Sequence, residues 1–532
     1  MNTAGANAFD YDIVLLGSGM AAGITALLCR SLGLRVLLVE RGDHPRFAIG
    51  ESLTGEVLRR LDYLAGRYGV PVLRDLSSYT RIKRAGLPVA TWPKTHVTFV
   101  RHNVGERVRP ERPEEVLLQT SVWPIGPDAH VYRADLDMFL KDRAVEAGAD
   151  YLAHTQPVGF GFDERTGAAV ELQTQGESET RTVHCRLVVD ATGPSCWLSR
   201  YLGLYRQDST EVPMASASVF AHFRGMRRWD DVCGARRTVF PRDLGTLLHC
   251  GTRGLFWVIP FDNGITSVGW VTTKPLPEQG EPEEIFQDAV RNYPSLAEQM
   301  RDAEAVTPYR RVDRLQYSTE RVAGDGWFLL PGSAEFSDPL FSVGLPLTSA
   351  AIARLMLRIE SADSSRPIMA QNLAGLEETF RLESRYIRKF TSAAKKCFAD
   401  YDMMHLAVWL NRLLIFREGA YIDSSSAAAV TAAAWGADEE SMRGVGDAFS
   451  DFVMGVDFDK PVPESTKREL ESLIRSWDVN GFFDTAFGRL RQDATYINSL
   501  PRMIDYCLRT RYHPLGLGKF RGLAQISGRW FA

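Results

Sequence analysis

At 532 residues the chain is too long for one small core, so two or three structural units are expected. With 24% charged residues and a net charge of −4, it has no basic excess to hold nucleic acid or an anionic membrane surface. No apolar run reads as long enough to span a bilayer, and the N-terminus lacks the charged-then-apolar pattern of a signal peptide, so no membrane partner is expected.

The first elements begin almost at once. An apolar run, Ile13 to Leu16, leads into Gly17-Ser18-Gly19-Met20-Ala21-Ala22-Gly23; a helical pattern covers Ile24 to Leu32, and a second apolar run, Val36 to Val39, ends in Glu40-Arg41. Gly17 allows a tight strand-to-helix turn, Gly19 lets the backbone approach a pyrophosphate, and Ala22 and Gly23 let the helix sit close to the sheet. The helix N-terminus offers free N–H groups and a partial positive charge. Glu40 stands about 20 residues after the glycines, where a ribose diol would be held. A glycine-rich turn without a ligand is the bland alternative. The complete order of strand, turn, helix, strand and acid predicts a dinucleotide site.

Further along, Ile49-Gly50-Glu51-Ser52 sets a glycine before a polar pair, ahead of an apolar helix over Val57 to Leu64. This is a second place for backbone to meet a flat ligand. Leu187 to Gly193 is a short strand ending in Asp190-Ala191-Thr192-Gly193, expected to run back beneath the first glycine turn. The runs Ala215 to Arg224, Leu244 to Cys250, Leu255 to Phe261 and Ile265 to Thr272 alternate, which predicts an antiparallel sheet. Trp327 to Ala334 closes another strand at Gly332, and the turn carrying Pro339, Gly344 and Leu345 opens a helix over Leu347 to Ile359, whose N-terminus favours negative charge. Such segments, spread along the chain, suit a flavin, so FAD is the expected dinucleotide. In the tail, Tyr401, Met403, Met404, His405, Trp409 and Phe416 are spaced as an amphipathic helix that fills core or lines a pocket, and Ser424-Ser425-Ser426 reads as a loop. Seven scattered cysteines without a CxxC pair, and ten histidines without ligand spacing, predict neither a disulfide frame nor a metal site, and a reducing, cytoplasmic setting.

At this point the chain resembles the flavin-dependent halogenases, in the free-standing branch typified by the pyrrole halogenase of pyrrolnitrin biosynthesis. The matching segments are Gly17 to Gly23, His44 to Ser52, Arg67 to Pro71, Ile82-Lys83-Arg84, Trp123 to Pro127, Tyr132 to Asp137, Phe256 to Phe261, Asp313 to Ser318 and Asp338 to Gly344. The resemblance implies an α/β fold: an FAD-binding Rossmann-like domain of the glutathione-reductase/hydroxylase type, an antiparallel substrate sheet and a C-terminal helical region. The expected organisation places the FAD-binding domain at 1–210, with a substrate-contacting insertion near 75–130 and its last part at 323–370. The sheet occupies 211–322 and the helices 371–532.

The resemblance also implies a reaction in two places. Reduced FAD from a separate flavin reductase reacts with oxygen to a C4a-hydroperoxide, chloride or bromide attacks it, and the hypohalous acid travels to a lysine beside a small pyrrole, phenol or indole ring. Lys83 is the matching lysine. Its surroundings, Tyr79 to Arg84, alternate like a strand with Ile82 and Lys83 on opposite faces, and a lysine pKa falls readily on burial. The bland alternative is a solvated lysine beside Arg81 and Arg84. Ser342, Val343 and Gly344 match the family's halide turn, or else form a capping turn without an ion. Trp257, Ile259 and Pro260 match the signature between flavin and substrate. Phe341 is expected with them at the substrate pocket or tunnel, and it stands where tryptophan halogenases carry a glutamate. Arg133 matches an arginine that contacts the flavin nucleotide, or else pairs at the surface with Asp135. Gly17 to Ala22, Glu40, Arg41, Ile49 to Ser52, Asp190, Ala191, Gly332, Pro339, Gly344 and Leu345 complete the expected cofactor contacts.

Two positions depart from the pattern: Leu255 replaces the first of two tryptophans, and Ser333 replaces the aspartate of the Gly-Asp motif of flavin hydroxylases. The expected function is an FADH2-dependent halogenase of natural-product biosynthesis, monomeric or homodimeric, with a substrate that is free or carrier-bound. An FAD-dependent hydroxylase and a non-catalytic flavin-fold protein are the alternatives.

Overall fold

The computed structural model describes residues 9–109, 115–119, 127–207, 214–234, 241–422, 431, 433 and 440–477. Trp123 to Gly126, the side chain of Phe416, Ser424 to Ser426, Cys507 and the tail beyond 477 therefore lie outside the described residues.

The nucleotide-type signature sits on an eight-stranded sheet. Its middle is five parallel strands, in the order Trp327–Leu329, Arg181–Asp190, Tyr11–Leu16, Val36–Val39 and Asp150–Leu152. Ile13, Val14, Leu15 and Leu16 are all buried, as a parallel strand covered on both faces requires. Leu16 pairs with Asp190, so the predicted second strand does end beside the first glycine turn. Helix Met20–Ser31 lies on this sheet, and helices Gly55–Tyr68, Arg133–Glu146 and Gly344–Ser361 pack on that helix. Gly23 serves a different contact from the one expected: a Cβ there would lie 2.7 Å from Cβ of Leu140, so this glycine brings the first helix against helix Arg133–Glu146 rather than against the sheet. The long apolar helix that includes Gly344–Ser361 corrects the reading that no run is long enough for a bilayer. By length and composition alone Leu340–Ser361 would pass, but 72% of its apolar window is buried inside the protein, so it is a core helix.

The predicted strands of the middle region form as Ala217–Arg224, Thr246–Gly251, Gly254–Pro260 and Thr266–Thr272. Their sheet is mixed rather than wholly antiparallel. His96–Arg101, from far upstream, lies parallel to Thr246–Gly251 and pairs in turn with Glu115–Gln119. Alternation sorts strand Gly254–Pro260 between two cores: Phe256 and Val258 join the cluster under helix Pro282–Arg291, while Leu255, Trp257 and Ile259 face the C-terminal helices. Those helices run Leu376–Cys397, Tyr401–Ile422, Glu440–Met454 and Glu464–Trp477. The expected amphipathic face of Tyr401–Ile422 is not what forms. Met403, Met404, His405, Leu406, Ala407, Val408, Trp409 and Leu410 are all buried, so over these two turns the helix is buried on every side, while Tyr401 and Asp402 before them are half-buried.

Candidate functional site

The first glycine turn is held from two directions. Gly17 (φ 96) donates its N–H to Val39 O at 2.7 Å, and a Cβ there would stand 2.6 Å from Ala191 O. Only glycine fits both the left-handed backbone and the close approach. Ser18 gives its N–H and hydroxyl to Glu40 Oε2, at 3.2 and 2.9 Å, and Gly42 N–H meets Glu40 Oε1 at 3.2 Å. Burial would raise the Glu40 carboxyl, but the Arg46 charge and these hydrogen bonds outweigh it and hold it below its ordinary value. Arg46 Nε lies 3.5 Å from Glu40 Oε2, and its Nη2 lies 3.9 Å from Asp137 Oδ2. A Cβ on Gly19 would point at Arg46 Nη2 (3.1 Å), Asp137 Oδ2 (3.3 Å) and Arg133 Nη2 (3.7 Å). The space over Gly19 is therefore rimmed by two guanidinium groups and the start of a helix, a cradle suited to a pyrophosphate.

Arg133 does not pair with Asp135. Its Nε and Nη2 bind the two oxygens of buried Asp137 at 2.8 and 3.0 Å, and its Nη1 binds Ile49 O (2.8 Å) and Gly50 O (3.1 Å). Asp137 Oδ1 also accepts Met20 N–H at 3.0 Å, while Asp135 accepts Ala90 N–H. One arginine thus ties the Gly50 turn to the helix start at Met20. A Cβ on Gly50 (φ 94) would come 3.9 Å from Leu345, at the head of helix Gly344–Ser361, so the structure brings these expected contacts together. The polar pair after Gly50 turns inward: Glu51 Oε1 lies 2.9 Å from His222 Nε2, and Ser52 Oγ lies 3.0 Å from His130 Nδ1. Arg41 is exposed. Asp190 is buried and accepts from Thr192 and from Leu198 N–H. Ser333 Oγ accepts Gly193 N–H at 2.9 Å, and Gly332 O accepts the Tyr317 hydroxyl at 2.6 Å.

The turn before helix Gly344–Ser361 has an unusual backbone. Phe341 (φ 64, ψ 9) and Ser342 (φ 58) are both left-handed without being glycine, a conformation that costs roughly 1–2 kcal/mol per residue. Asp338 Oδ1 caps Leu340 N–H at 3.0 Å, and Ser342 N–H returns to Pro339 O at 3.1 Å. The Phe341 ring is wedged between Phe99 (6.2 Å between centroids) and Phe390 (6.0 Å), which holds the turn in place. Val343 and Gly344 follow, where the opening N–H groups of a helix have no intrahelical acceptors. Such a turn presents donors to an anion.

Lys83 is not on a strand. Tyr79–Arg84 forms a helix whose N-cap, Ser78, accepts Arg81 N–H at 3.2 Å, and Ile82 is its buried residue. A serine cap and a run free of glycine and proline favour the turn of helix over a six-residue alternation. Lys83 Nζ donates to Asp262 Oδ2 at 2.8 Å, and the side chain is 52% exposed. The hydrogen bond to Asp262, with the carboxylate's charge, raises the Lys83 pKa, against the expected fall on burial. Asp262 Oδ1 accepts Thr91 N–H at 2.9 Å, which fixes the carboxylate just past the end of strand Gly254–Pro260. On that strand the Trp257 ring occupies the space where a Cβ on Gly269 would lie and donates to Ser267 Oγ at 3.1 Å, with Ile259 on the same face and Pro260 half-buried at its end.

Several residues of this neighbourhood were not singled out from the sequence: Arg46, Asp137, His222, Asp262 and Lys395, whose Nζ lies 2.7 Å from Asp338 Oδ2. Asp137 had a legible signal, four residues after Arg133 in a helical pattern. The others meet their partners only through tertiary packing. Among the described residues no group of three or more His, Cys, Asp or Glu side chains is placed to hold a metal.

A model of the FAD binding domain matches residues 10–345. Tetracycline 7-halogenase of Kitasatospora aureofaciens is 32% identical over 380 residues, covering 69% of this chain and 66% of that protein. Monodechloroaminopyrrolnitrin halogenase PrnC of Pseudomonas fluorescens is 29% identical over 401 residues, covering 74% and 69%. The chain thus aligns with about two thirds of the length of these relatives. Among solved structures, halogenase PltM in complex with phloroglucinol and FAD superposes with a TM-score of 0.80 at 24% identity, covering 88% of this chain and 96% of that one, which shows a shared fold. The glycine cradle, its two arginines and Glu40 fit FAD.

Proposed function

The chain belongs to the FAD-binding domain family, its relatives there are flavin-dependent halogenases, and from that premise we propose that it chlorinates or brominates a small electron-rich aromatic ring of pyrrole, phenol or indole type. One observation carries the reading. Trp257 and Ile259 of strand Gly254–Pro260 share a buried cluster with Leu340 and Val343 of the left-handed turn, and the same strand runs on into Asp262, the partner of Lys83. Anion turn and lysine are joined by one strand.

Bound reduced FAD would supply two of the four electrons that take oxygen to hypohalous acid and water, the halide giving the other two. The protein's own groups do the rest. Arg46, Arg133 and the N–H groups after Gly19 hold the pyrophosphate, and Glu40 takes the ribose hydroxyls. Of the halide turn, Val343 and Gly344 offer N–H groups to chloride or bromide, while the Ser342 N–H goes to Pro339 O and holds the turn in shape. Trp257 and Ile259 exclude water between the two ends. Asp262 keeps Lys83 protonated and aimed, so the lysine works as a hydrogen-bond donor to hypohalous acid, a role its raised pKa favours over a neutral amine. Its half-exposed side chain supports a substrate ring that approaches from solvent. Reduced FAD would come from a separate reductase. Of the seven cysteines, the six among the described residues are free and buried, which supports a reducing setting.

Lys83→Ala should lower halogenation by about 100-fold or more while the visible spectrum of bound FAD is unchanged. Asp262→Asn should lower it less, since the lysine stays but loses its aim. Product formation undiminished in Lys83→Ala would remove this lysine from the reaction.

A further inference from the structure

We infer that Lys395 is a positioning residue that sets halide affinity by cancelling the charge of Asp338. This rests on the reading of Ser342 to Gly344 as the halide turn. The Lys395 side chain, on helix Leu376–Cys397, is 8% exposed, and Asp338 is 2% exposed. Their 2.7 Å contact is a buried ion pair. Asp338 does two further things. Oδ1 caps Leu340 N–H at 3.0 Å, one residue before the left-handed pair, and Oδ2 accepts Ser216 Oγ at 3.0 Å. Ser216 is itself fixed by Gln316, which accepts Ser216 N–H at 2.8 Å and donates to Ser216 Oγ at 2.6 Å and to Ser337 O at 2.8 Å. The carboxylate is therefore a rigid anchor that the turn cannot shed.

An anchor of this kind is at odds with the purpose of the turn. A buried carboxylate four residues before Ser342 repels any anion that the following N–H groups attract, and in a water-poor interior that repulsion is weakly screened. Lys395 resolves the conflict without entering the turn. It leaves the hydrogen bond to Leu340 intact and removes the net negative charge. A helix appended from the C-terminal region thus completes an anion site built on the FAD-binding segment.

The test is a bromide titration of the FAD-loaded protein, followed by the bromide-dependent rise in Tm and by the KM for bromide in turnover. Lys395→Met should raise the bromide KM about tenfold, the equivalent of 1.4 kcal/mol, with the FAD spectrum unchanged. Asp338→Asn should shift it the opposite way, to tighter bromide, because Lys395 then lacks its counter-charge. A role in packing alone predicts weaker bromide in both variants, and that outcome, or an unchanged KM in Lys395→Met, would overturn the inference. If Lys395→Met does not fold, the sign of the Asp338→Asn shift decides alone. A wild-type protein whose Tm does not respond to bromide would instead sink the halide reading of the turn.

Discussion

Gly19 shows how much can depend on one missing side chain. The direction its Cβ would take is occupied at 3.1 Å by Arg46 and at 3.7 Å by Arg133, the two cations that rim the cradle. Gly19→Val should therefore displace both and fill the space of the pyrophosphate. Loss of FAD on gel filtration, with Tm lowered by no more than a few degrees, is the expected result; a normal flavin spectrum would contradict the assignment. His44 makes a second prediction at this scale. Its Nε2 lies 2.7 Å from Ser18 Oγ, and burial, reinforced by the Arg46 charge, holds its pKa below the ordinary 6.5. The unfolded chain then takes up this proton first as pH falls. Stability from His44 is full above pH 6.5 and is lost below it, toward the depressed folded value. A scan of Tm against pH should slope downward below 6.5 in the wild type and slope less in His44→Asn. Equal slopes would show that His44 takes no part.

At the scale of elements, the short helix Tyr79–Arg84 matters most, because it aims Lys83. Ser78→Ala removes its N-cap at a cost of about 1 kcal/mol. Halogenation should fall severalfold in that variant while FAD binding is unchanged; an unaffected rate would mean that the helix is held by its other contacts, such as Arg81 Nη1 to Asp62 at 2.7 Å. This element also marks a boundary of sequence reading. Six residues with one buried position alternate as well as they turn, and the deciding signal was the serine before them. Gly23 is similar: a small residue announces a close approach, but only the fold says that Leu140, not the sheet, makes it. The long apolar runs were legible because a parallel strand buried on both faces leaves no room for polar residues, and the glycine turn was legible because its spacing is dictated by a phosphate.

For the whole molecule, the pairings hardest to read from sequence are those joined across long stretches of chain. Glu51 meets His222 across 171 positions, Lys83 meets Asp262 across 179, and Asp338 meets Lys395 across 57. No local pattern carries such pairs, since each half reads alone as an ordinary charged residue. They also bind the parts together: Glu51–His222 ties the Gly50 turn to the mixed sheet, Lys83–Asp262 ties the lysine helix to that sheet, and Asp338–Lys395 ties the turn to the C-terminal helices. The direct test of this account is mass spectrometry of products from purified protein given FAD, a flavin reductase, NADH, oxygen and bromide, over a panel of pyrroles, phenols and indoles. A bromine isotope doublet is expected on at least one ring, absent with Lys83→Ala although that variant still binds FAD. A hydroxylated product free of bromine, or a doublet of equal size with Lys83→Ala, would contradict it.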